Sequence, residues 1–222
     1  DMSDQTVSEA GVHVAGSFQG WDPAGTPLSD DDGDGVWSVT LDMAGVTDPV
    51  VFYKFLNGNS WGTDETVSDP ECGGAGGFQS DRFLHRPFSD LTLDPVCFHE
   101  CIGCDESYVH FQVDMSETPV AENGIHLGGG QWHNNYIEMH PRHHGPMENP
   151  NIFEVKVVVP EDSSFYYKFN NGANDSGYED GDNLTLEGCG DGDNWGDRSV
   201  QVGSDDVMLP PVCFSSCYAC GN

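Results

Sequence analysis

The sequence has few basic residues: seven Lys and Arg stand against 38 Asp and Glu, which gives a formal net charge of −31 over 222 residues. Nucleic acids and anionic membranes attract clustered basic side chains, so this composition excludes both as expected partners. Such a charge repels itself unless cations screen it. Calcium prefers carboxylate and carbonyl oxygens and is the cofactor we expect. A solvated acidic surface without bound ions is the alternative.

The sequence also lacks long apolar runs. None approaches the ~20 residues that a membrane-spanning helix requires, so we expect no membrane insertion. Apolar residues at helical 3.6 spacing are missing as well, and we predict no helix. Short alternating runs between Gly, Asn and Asp turns predict an all-β fold. The predicted strands cover residues 12–15, 35–41, 50–56, 82–85, 91–93, 108–113, 125–127, 152–159, 165–170 and 199–202.

Catalytic motifs are a third absence. The chain contains no Gly-x-Ser-x-Gly nucleophile elbow, no HExxH sequence and no glycine-rich phosphate loop that opens a helix. Acidic residues are so numerous that no glycosidase carboxylate pair stands out. We therefore predict a non-catalytic protein.

What the sequence does contain is an internal repeat. Asp-Met-Ser at 1–3 recurs at 114–116, Phe-Tyr-Lys-Phe at 52–55 recurs as Tyr-Tyr-Lys-Phe at 166–169, and each copy ends in Cys-x₃-Cys-x₂-Cys. The offset of 113 to 116 residues is one domain length rather than a short solenoid period. We therefore predict two domains, residues 1–104 and 105–222.

The two copies differ at their starts. The second copy has an alternating run, residues 108–113, before its Asp-Met-Ser motif, and the first copy has no equivalent residues. A β-sandwich without its first strand exposes unpaired backbone groups and part of its core. We expect a copy of the protein, or a flanking repeat in a longer tandem array, to supply this strand by strand addition.

Eight cysteines fall four to a copy, and their spacing is not that of two CxxC zinc knuckles. An even number in each copy indicates disulfides and an oxidising compartment, so we expect an extracellular or cell-surface protein. Three pairings are open in each copy. The pairing we favour joins Cys72 to Cys97, Cys101 to Cys104, Cys189 to Cys213 and Cys217 to Cys220.

One family resemblance is carried by four strings: AGSFQGWDP at 15–23, DGVW at 34–37, YKF at 53–55 and Trp61. Together they resemble starch- and glycogen-binding domains, which are immunoglobulin-like sandwiches of the carbohydrate-binding-module class. The terminal cysteine pattern looks like that of tandem repeats in secreted bacterial surface proteins. The resemblance implies two tandem immunoglobulin-like β-sandwich domains, and it is looser in the second copy.

The resemblance also implies a polysaccharide site. In the first copy its residues would be Trp21, Lys54 and Trp61, and in the second Trp132 and Lys168. Indole rings stack on the C–H faces of pyranoses, and the ammonium group donates to hydroxyl groups. The alternative is that these aromatic residues pack in the core or at an interface.

Acidic loops suggest the calcium sites. Asp30, Asp32 and Asp34 match the first half of an Asp-x-Asp-x-Asp-Gly calcium loop, and Asp64 or Glu65 is a further possible ligand. A second acidic zone comprises Glu179, Asp180 and Asp182 together with Asp191, Asp193 and Asp197, of which Asp180, Asp182, Asp191 and Asp193 are the ligands we favour. Polar turns without metal are the alternative at both places. A histidine-rich insert, with His133, His140, His143 and His144, leaves zinc or copper binding open.

Two functions follow from these patterns. The first is a secreted structural repeat of a filament, stalk or adhesin, stiffened by disulfides and calcium and assembled head to tail or as a longer array. The second is a tandem α-glucan-binding module of a polysaccharide-processing system.

Overall fold

A computed structural model describes residues 1–70, 72–73, 80–133, 135–142 and 149–221. The chain divides into two compact units, Asp1–Cys104 and Asp105–Asn222. Regular structure in the described residues is almost entirely β, with a single α-helix. No helix within these residues combines the length and apolar character needed to cross a membrane.

The first unit has a three-stranded antiparallel sheet of order β1-β2-β3. Its strands are β1 (His13–Gly16), β2 (Val50–Leu56) and β3 (Arg82–His85). The alternating apolar residues of β1 and β2 turn one face towards a small core. The buried apolar residues of this core are Met2, Val12, Val14, Leu28 and Phe98, with Phe18, Trp37, Tyr53 and Phe55 partly buried against them.

The second unit has nine strands that are hydrogen-bonded in the order β11-β4-β7-β6-β5-β8-β10-β9, and β12 also pairs with β4. The strands are β4 (Glu106–Asp114), β5 (Ile125–Gly128), β6 (Ile137–Arg142), β7 (Asn149–Pro160), β8 (Ser164–Asn171), β9 (Gly190–Asp191), β10 (Asp197–Gln201), β11 (Val207–Met208) and β12 (Val212–Cys213). β4 pairs with β7 over its whole length, from Glu106 opposite Pro160 to Asp114 opposite Ile152. It is therefore an interior strand of this sheet.

The core of the second unit is larger. Val109, Phe111 and Val113 on β4 are completely buried at its centre. The other buried members are Met115, Ile125, Leu127, Met139, Phe153, Val159, Tyr167, Phe169, Val200 and Val202. Burial of this apolar surface is the main force that stabilises the unit.

Two predicted strands of the first unit are not formed. In the described structure, residues 35–41 make one isolated bridge, between Ser38 and Ser29, and residues 91–93 make none. Their counterparts in the second unit are β7 and β11, which both pair with β4. Among its described residues the first unit has no strand equivalent to β4, so these segments lack the partner whose hydrogen bonds would make them strands.

The second unit contains a helix that the sequence analysis did not predict, α1 (Gly181–Glu187). Its seven residues are too few to show helical periodicity. Local signals define it instead: the Asp180 carboxylate accepts the N–H groups of Asp182 and Asn183, and Gly188 ends the helix at φ +91°. Leu184, in the middle of the helix, is its buried residue.

All eight cysteines are in disulfides, as expected, but the predicted pairing is wrong. The bonds join Cys72 to Cys101, Cys97 to Cys104, Cys189 to Cys217 and Cys213 to Cys220. The cause is a tight turn, in which the Cys97 N–H donates to the Ile102 carbonyl at 2.7 Å. This turn brings Cys104 back beside Cys97 and leaves Cys101 for Cys72. Four disulfides fit an oxidising environment.

Candidate functional site

The same backbone contact follows the Asp-Met-Ser motif in both units. The Met2 N–H donates to the Gly35 carbonyl at 2.9 Å, and the Met115 N–H donates to the Asn151 carbonyl at 2.8 Å. In the second unit, Asn151 lies in β7 and the chain has just left β4. Residues 35–41 therefore stand where β7 stands in the second unit.

A second pair of equivalent contacts is made by the first residue of the Asp-Met-Ser motif in each unit. The Phe98 N–H donates to the Asp1 carbonyl at 3.1 Å, and the Phe214 N–H donates to the Asp114 carbonyl at 3.2 Å. The Asp1 amino group also donates to the Val96 carbonyl at 2.6 Å. Asp1 thus occupies the position that Asp114, the last residue of β4, holds in the second unit.

Among the described residues of the first unit, no strand lies between residues 36–41 and residues 91–96, which are the counterparts of the neighbours of β4. We call the surface formed by these two segments the open slot. Its apolar rim is exposed: Val39 by 40%, Leu91 by 54% and Leu93 by 50%. The equivalent residues of the second unit pack against the core and are Val155, Val207 and Leu209.

The residues at the base of the open slot are less buried than the equivalent residues of the second unit. Tyr53, Phe55 and Leu84 are only partly buried. Their equivalents in the second unit are 6%, 1% and 5% exposed and are, in order, Tyr167, Phe169 and Val200. Burial raises the pKa of the Tyr167 phenol to about 12. Three core positions are therefore incompletely covered in the first unit.

The backbone along the open slot is also unpaired. Within the part of the chain that the structure describes, residues 39–41 and 91–95 make no backbone–backbone hydrogen bond. Paired strands would satisfy these N–H and C=O groups, as β4 does for β7 and β11. The open slot therefore offers both apolar surface and backbone hydrogen-bonding groups.

A separate surface of the first unit carries two of the predicted sugar-binding residues. The structure brings Trp21 and Trp61 together, with ring centroids 6.3 Å apart and planes at 43°. Trp61 is 49% exposed. Trp21 follows the turn at Gly20 and is itself at φ +64°. This conformation is uncommon for a residue with a side chain. Trp61, which is exposed, and Trp21, which is partly buried, together form an aromatic platform.

Lys54 does not belong to this platform. It is 8% exposed, and its ammonium group lies 3.2 Å from Asp64, 2.8 Å from the Ser80 hydroxyl and 3.5 Å from Asp81. Burial raises the pKa of the Asp81 carboxyl group. Lys168 is similarly buried, 3.3 Å from Asp197. Both lysines therefore have their donors engaged inside their own unit rather than available to a sugar.

Trp132 is placed differently from the prediction. Its ring packs against Phe111 at 5.7 Å and against Phe165 at 5.9 Å between centroids. Strand register makes it the counterpart of Gln19 rather than of a platform tryptophan. Trp132 is a packing residue of the second core.

The second unit has an aromatic cluster that the sequence analysis missed. Tyr178 stacks on His133, with centroids 6.0 Å apart and planes at 17°, and lies 5.8 Å from Tyr136. A hydrogen bond to Tyr178 raises the pKa of the Tyr136 phenol. The three residues come from separate segments, and no local spacing signals that they meet. His140 is exposed on β6, and His143 and His144 lie outside the described residues.

The predicted calcium loop does gather its carboxylates. One oxygen from each of Asp30, Asp32 and Asp34 lies within 4.8 Å of the others. Asp30 also accepts the N–H groups of Gly33 and Asp34, which fixes the loop. Such spacing suits the oxygen shell of a calcium ion.

The other predicted calcium ligands are engaged separately. The Asp64 carboxylate accepts from Lys54. Asp191 accepts the Asn194 amide, and this hydrogen bond holds the pKa of the Asp191 carboxyl group below its usual value. Among the described residues, the second acidic zone does not bring three carboxylates together. Its predicted ligands are Asp180, Asp182, Asp191 and Asp193.

Each unit also contains a buried ion pair that the sequence analysis missed, and its glutamate, Glu65 or Glu179, was expected near a calcium ion instead. Glu179 is 3% exposed and accepts from the Arg198 side chain at 2.7 and 3.0 Å and from the N–H groups of Phe169 and Ser215. Glu65 and Arg82 form the equivalent pair at 2.8 Å. The recurrence of Asp-Arg in both copies was the available signal. The network joins the strands of each unit to its cysteine-rich loop.

Neither a protein-family model nor any curated protein matches the chain. The comparison between its own two units therefore carries the functional argument.

Proposed function

We propose that this chain is a non-catalytic structural repeat of an extracellular filament, stalk or adhesin at the cell surface. In this proposal it consists of two immunoglobulin-like β-sandwich domains, and a strand from a flanking repeat or from another copy completes the first. The observation that carries the proposal is the repetition of one disulfide-linked β architecture in the two units. Each unit has the same pattern of two disulfides and the same antiparallel pairing, of β1 with β2 and of β5 with β8.

The four disulfides support this role, since extracellular repeats are commonly stiffened in this way. Calcium bound by Asp30, Asp32 and Asp34 would add local stiffness and neutralise part of the −31 charge.

Labelling of native material tests the structural role. Antibodies raised against residues 1–222 and detected with gold particles in the electron microscope should decorate surface fibres at regular intervals. Preimmune serum is the control. Label that is dispersed in the medium, or confined to the cell interior, would contradict a structural role on the cell surface.

Binding of α-glucan is the second candidate function, and the Trp21–Trp61 platform is the observation that favours it. Affinity electrophoresis through gels that contain amylose or glycogen tests it. If the platform binds sugar, the chain is retarded and Trp61→Ala abolishes the retardation. Trp195→Ala is the matched control, because Trp195 is 89% exposed and lies in the other unit. Equal mobility with and without polysaccharide removes this candidate.

A further inference from the structure

We propose that the second unit has a binding site for a small quaternary ammonium compound of the choline type, formed by the aromatic cluster of His133, Tyr136 and Tyr178 beside the Asp175 carboxylate. The site is separate from the structural role proposed above and does not depend on it. The exposed rings, their position on β5 and the charge around them are the observations that carry it.

The three rings lie side by side at the surface of the unit. His133 is exposed, and the two tyrosines are half-buried. The Tyr178 ring is the central one, and its centroid lies 6.0 Å from that of His133 and 5.8 Å from that of Tyr136. An aromatic face attracts a cation that lies within about 6 Å of the ring centroid. One cation can therefore contact Tyr178 and a neighbouring ring at the same time.

Hydrogen bonds and packing hold the two tyrosine rings in place. The Tyr178 hydroxyl accepts the Gly129 N–H at 3.4 Å, and the Tyr136 hydroxyl donates to the Asp175 carboxylate at 3.4 Å. The buried His126 ring packs edge-on against Tyr136, with centroids 6.1 Å apart. Because the rings are positioned before a ligand arrives, less side-chain freedom is lost on binding.

The first unit shows that the fold does not require this cluster. Strand register places Ala15 at the position of Gly128 and Asp64 at that of Tyr178. A Cβ atom on Gly128 would lie 3.0 Å from the Tyr178 ring and 3.2 Å from the Tyr136 ring. The glycine therefore lets both rings lie directly against β5, and the second unit has this arrangement in addition to the shared architecture.

The charge around the cluster favours a cation. The Asp175 carboxylate touches Tyr136 and is exposed, and Glu138 is exposed two residues further along β6. A net charge of −31 adds a long-range attraction for cations. Each Lys and Arg residue of the second unit is already engaged within it: Arg142 with Glu154, Lys156 with the Tyr108 ring, Lys168 with Asp197 and Arg198 with Glu179.

The kind of cation follows from the groups that the cluster offers, which are ring faces and a carboxylate. A primary ammonium group has three N–H donors to satisfy. The ammonium group of Lys54 does so in this protein with the Asp64 carboxylate, the Ser80 hydroxyl and the Glu65 carbonyl. A trimethylammonium group has no N–H donor and presents methyl groups to the rings. The cluster therefore suits a trimethylammonium group better than a lysine side chain.

Isothermal titration calorimetry of the chain with intact disulfides tests the proposal with choline chloride as the probe, at constant ionic strength. The matched ligand is 3,3-dimethylbutan-1-ol, which has the shape of choline without its charge. Choline should bind at one site, and the alcohol should bind about tenfold more weakly because it lacks the attraction between charge and ring. Equal affinities for the two ligands, or no binding of choline, would overturn the proposal.

Variants locate the site. Tyr178→Ala should weaken choline binding by about tenfold, and His133→Ala, at an exposed position, by about threefold. Tyr178→Phe retains the ring and should stay within about threefold of the unchanged protein. Trp195→Ala is the control, because Trp195 is an exposed aromatic residue of the same unit outside the cluster. Choline binding that is unchanged by both Tyr178→Ala and His133→Ala would overturn the assignment of the site to this cluster.

Discussion

The Glu179 carboxylate accepts more hydrogen bonds than any single neighbouring residue could accept in its place. Its two carboxylate oxygens receive two bonds from Arg198 and two from backbone N–H groups, all inside the second unit. A buried ion pair contributes little net stability compared with an apolar replacement, but removal of one partner leaves the other charge uncompensated. Glu179 therefore matters for stability because its removal would leave the buried charge of Arg198 uncompensated.

Glu179→Gln should lower the free energy of unfolding of the second unit by about 3–5 kcal/mol. The side-chain size is retained, so the loss reports the missing charge opposite Arg198. Urea unfolding with the disulfides intact measures it. The control is Glu122→Gln, because Glu122 is exposed. Equal unfolding midpoints for the two variants would contradict the role assigned to Glu179.

Calcium at the Asp30 loop makes a second prediction at the residue scale. Calcium should raise the melting temperature of the first unit, and EDTA should reverse the rise, because binding to the folded state alone stabilises it. Asp32→Asn should abolish the calcium dependence, since it removes one of the three gathered carboxylates. Asp31→Asn is the control. A melting temperature that is unchanged by EDTA would remove calcium from the proposal.

At the scale of elements, the stability of α1 depends on the residues at its two ends. Asp180→Ala removes the carboxylate that caps two N–H groups and should destabilise the second unit by about 1 kcal/mol. Asp182→Ala, in the first turn, should have a smaller effect because that side chain caps nothing. Thermal unfolding followed by circular dichroism compares the two. A larger loss of stability for Asp182→Ala than for Asp180→Ala would mean that these two carboxylates have a role other than helix capping.

The success of strand prediction depended on whether a segment finds its partner. Residues 50–56 and 108–113 were predicted correctly, because their alternation matches a sheet with one buried face. Residues 35–41 alternate just as well but are not a strand, because strand formation also needs a hydrogen-bonded neighbour. Alternation shows which residues can form a strand, and pairing decides whether they do.

The candidate site was predictable only in part, for the same reason. The equivalence of the two units was visible because the two copies can be compared in the sequence. The pairing of Trp21 with Trp61 was expected from the family resemblance. The burial of Lys54 was not, because the Asp81 that approaches it comes from a distant segment. Long-range contacts of this kind leave no local pattern.

At the scale of the whole molecule, the two units should differ in stability. The first unit leaves Val39, Leu91 and Leu93 exposed, whereas the equivalent residues of the second unit are partly buried against its core. Apolar burial of this extent is worth a few kcal/mol. Differential scanning calorimetry should therefore show two transitions, with the first unit melting at least about 10 °C below the second.

A single transition would mean that the two units do not unfold independently. The division itself was predictable from the repeat, whereas the disulfide pairing was not, because it depends on a turn within each cysteine loop.

The parallel pairing of β4 with β11 and β12 has a mechanical consequence. In the second unit the chain enters through β4 at Glu106 and leaves after β12 at Cys220, so tension pulls two parallel neighbours in opposite directions. The hydrogen bonds between them are then loaded together in shear rather than opened one after another. Because Cys213–Cys220 and Cys189–Cys217 lock the exit segment, stretching cannot unravel it before β4 slides. A domain with this arrangement of strands and disulfides resists extension along its length.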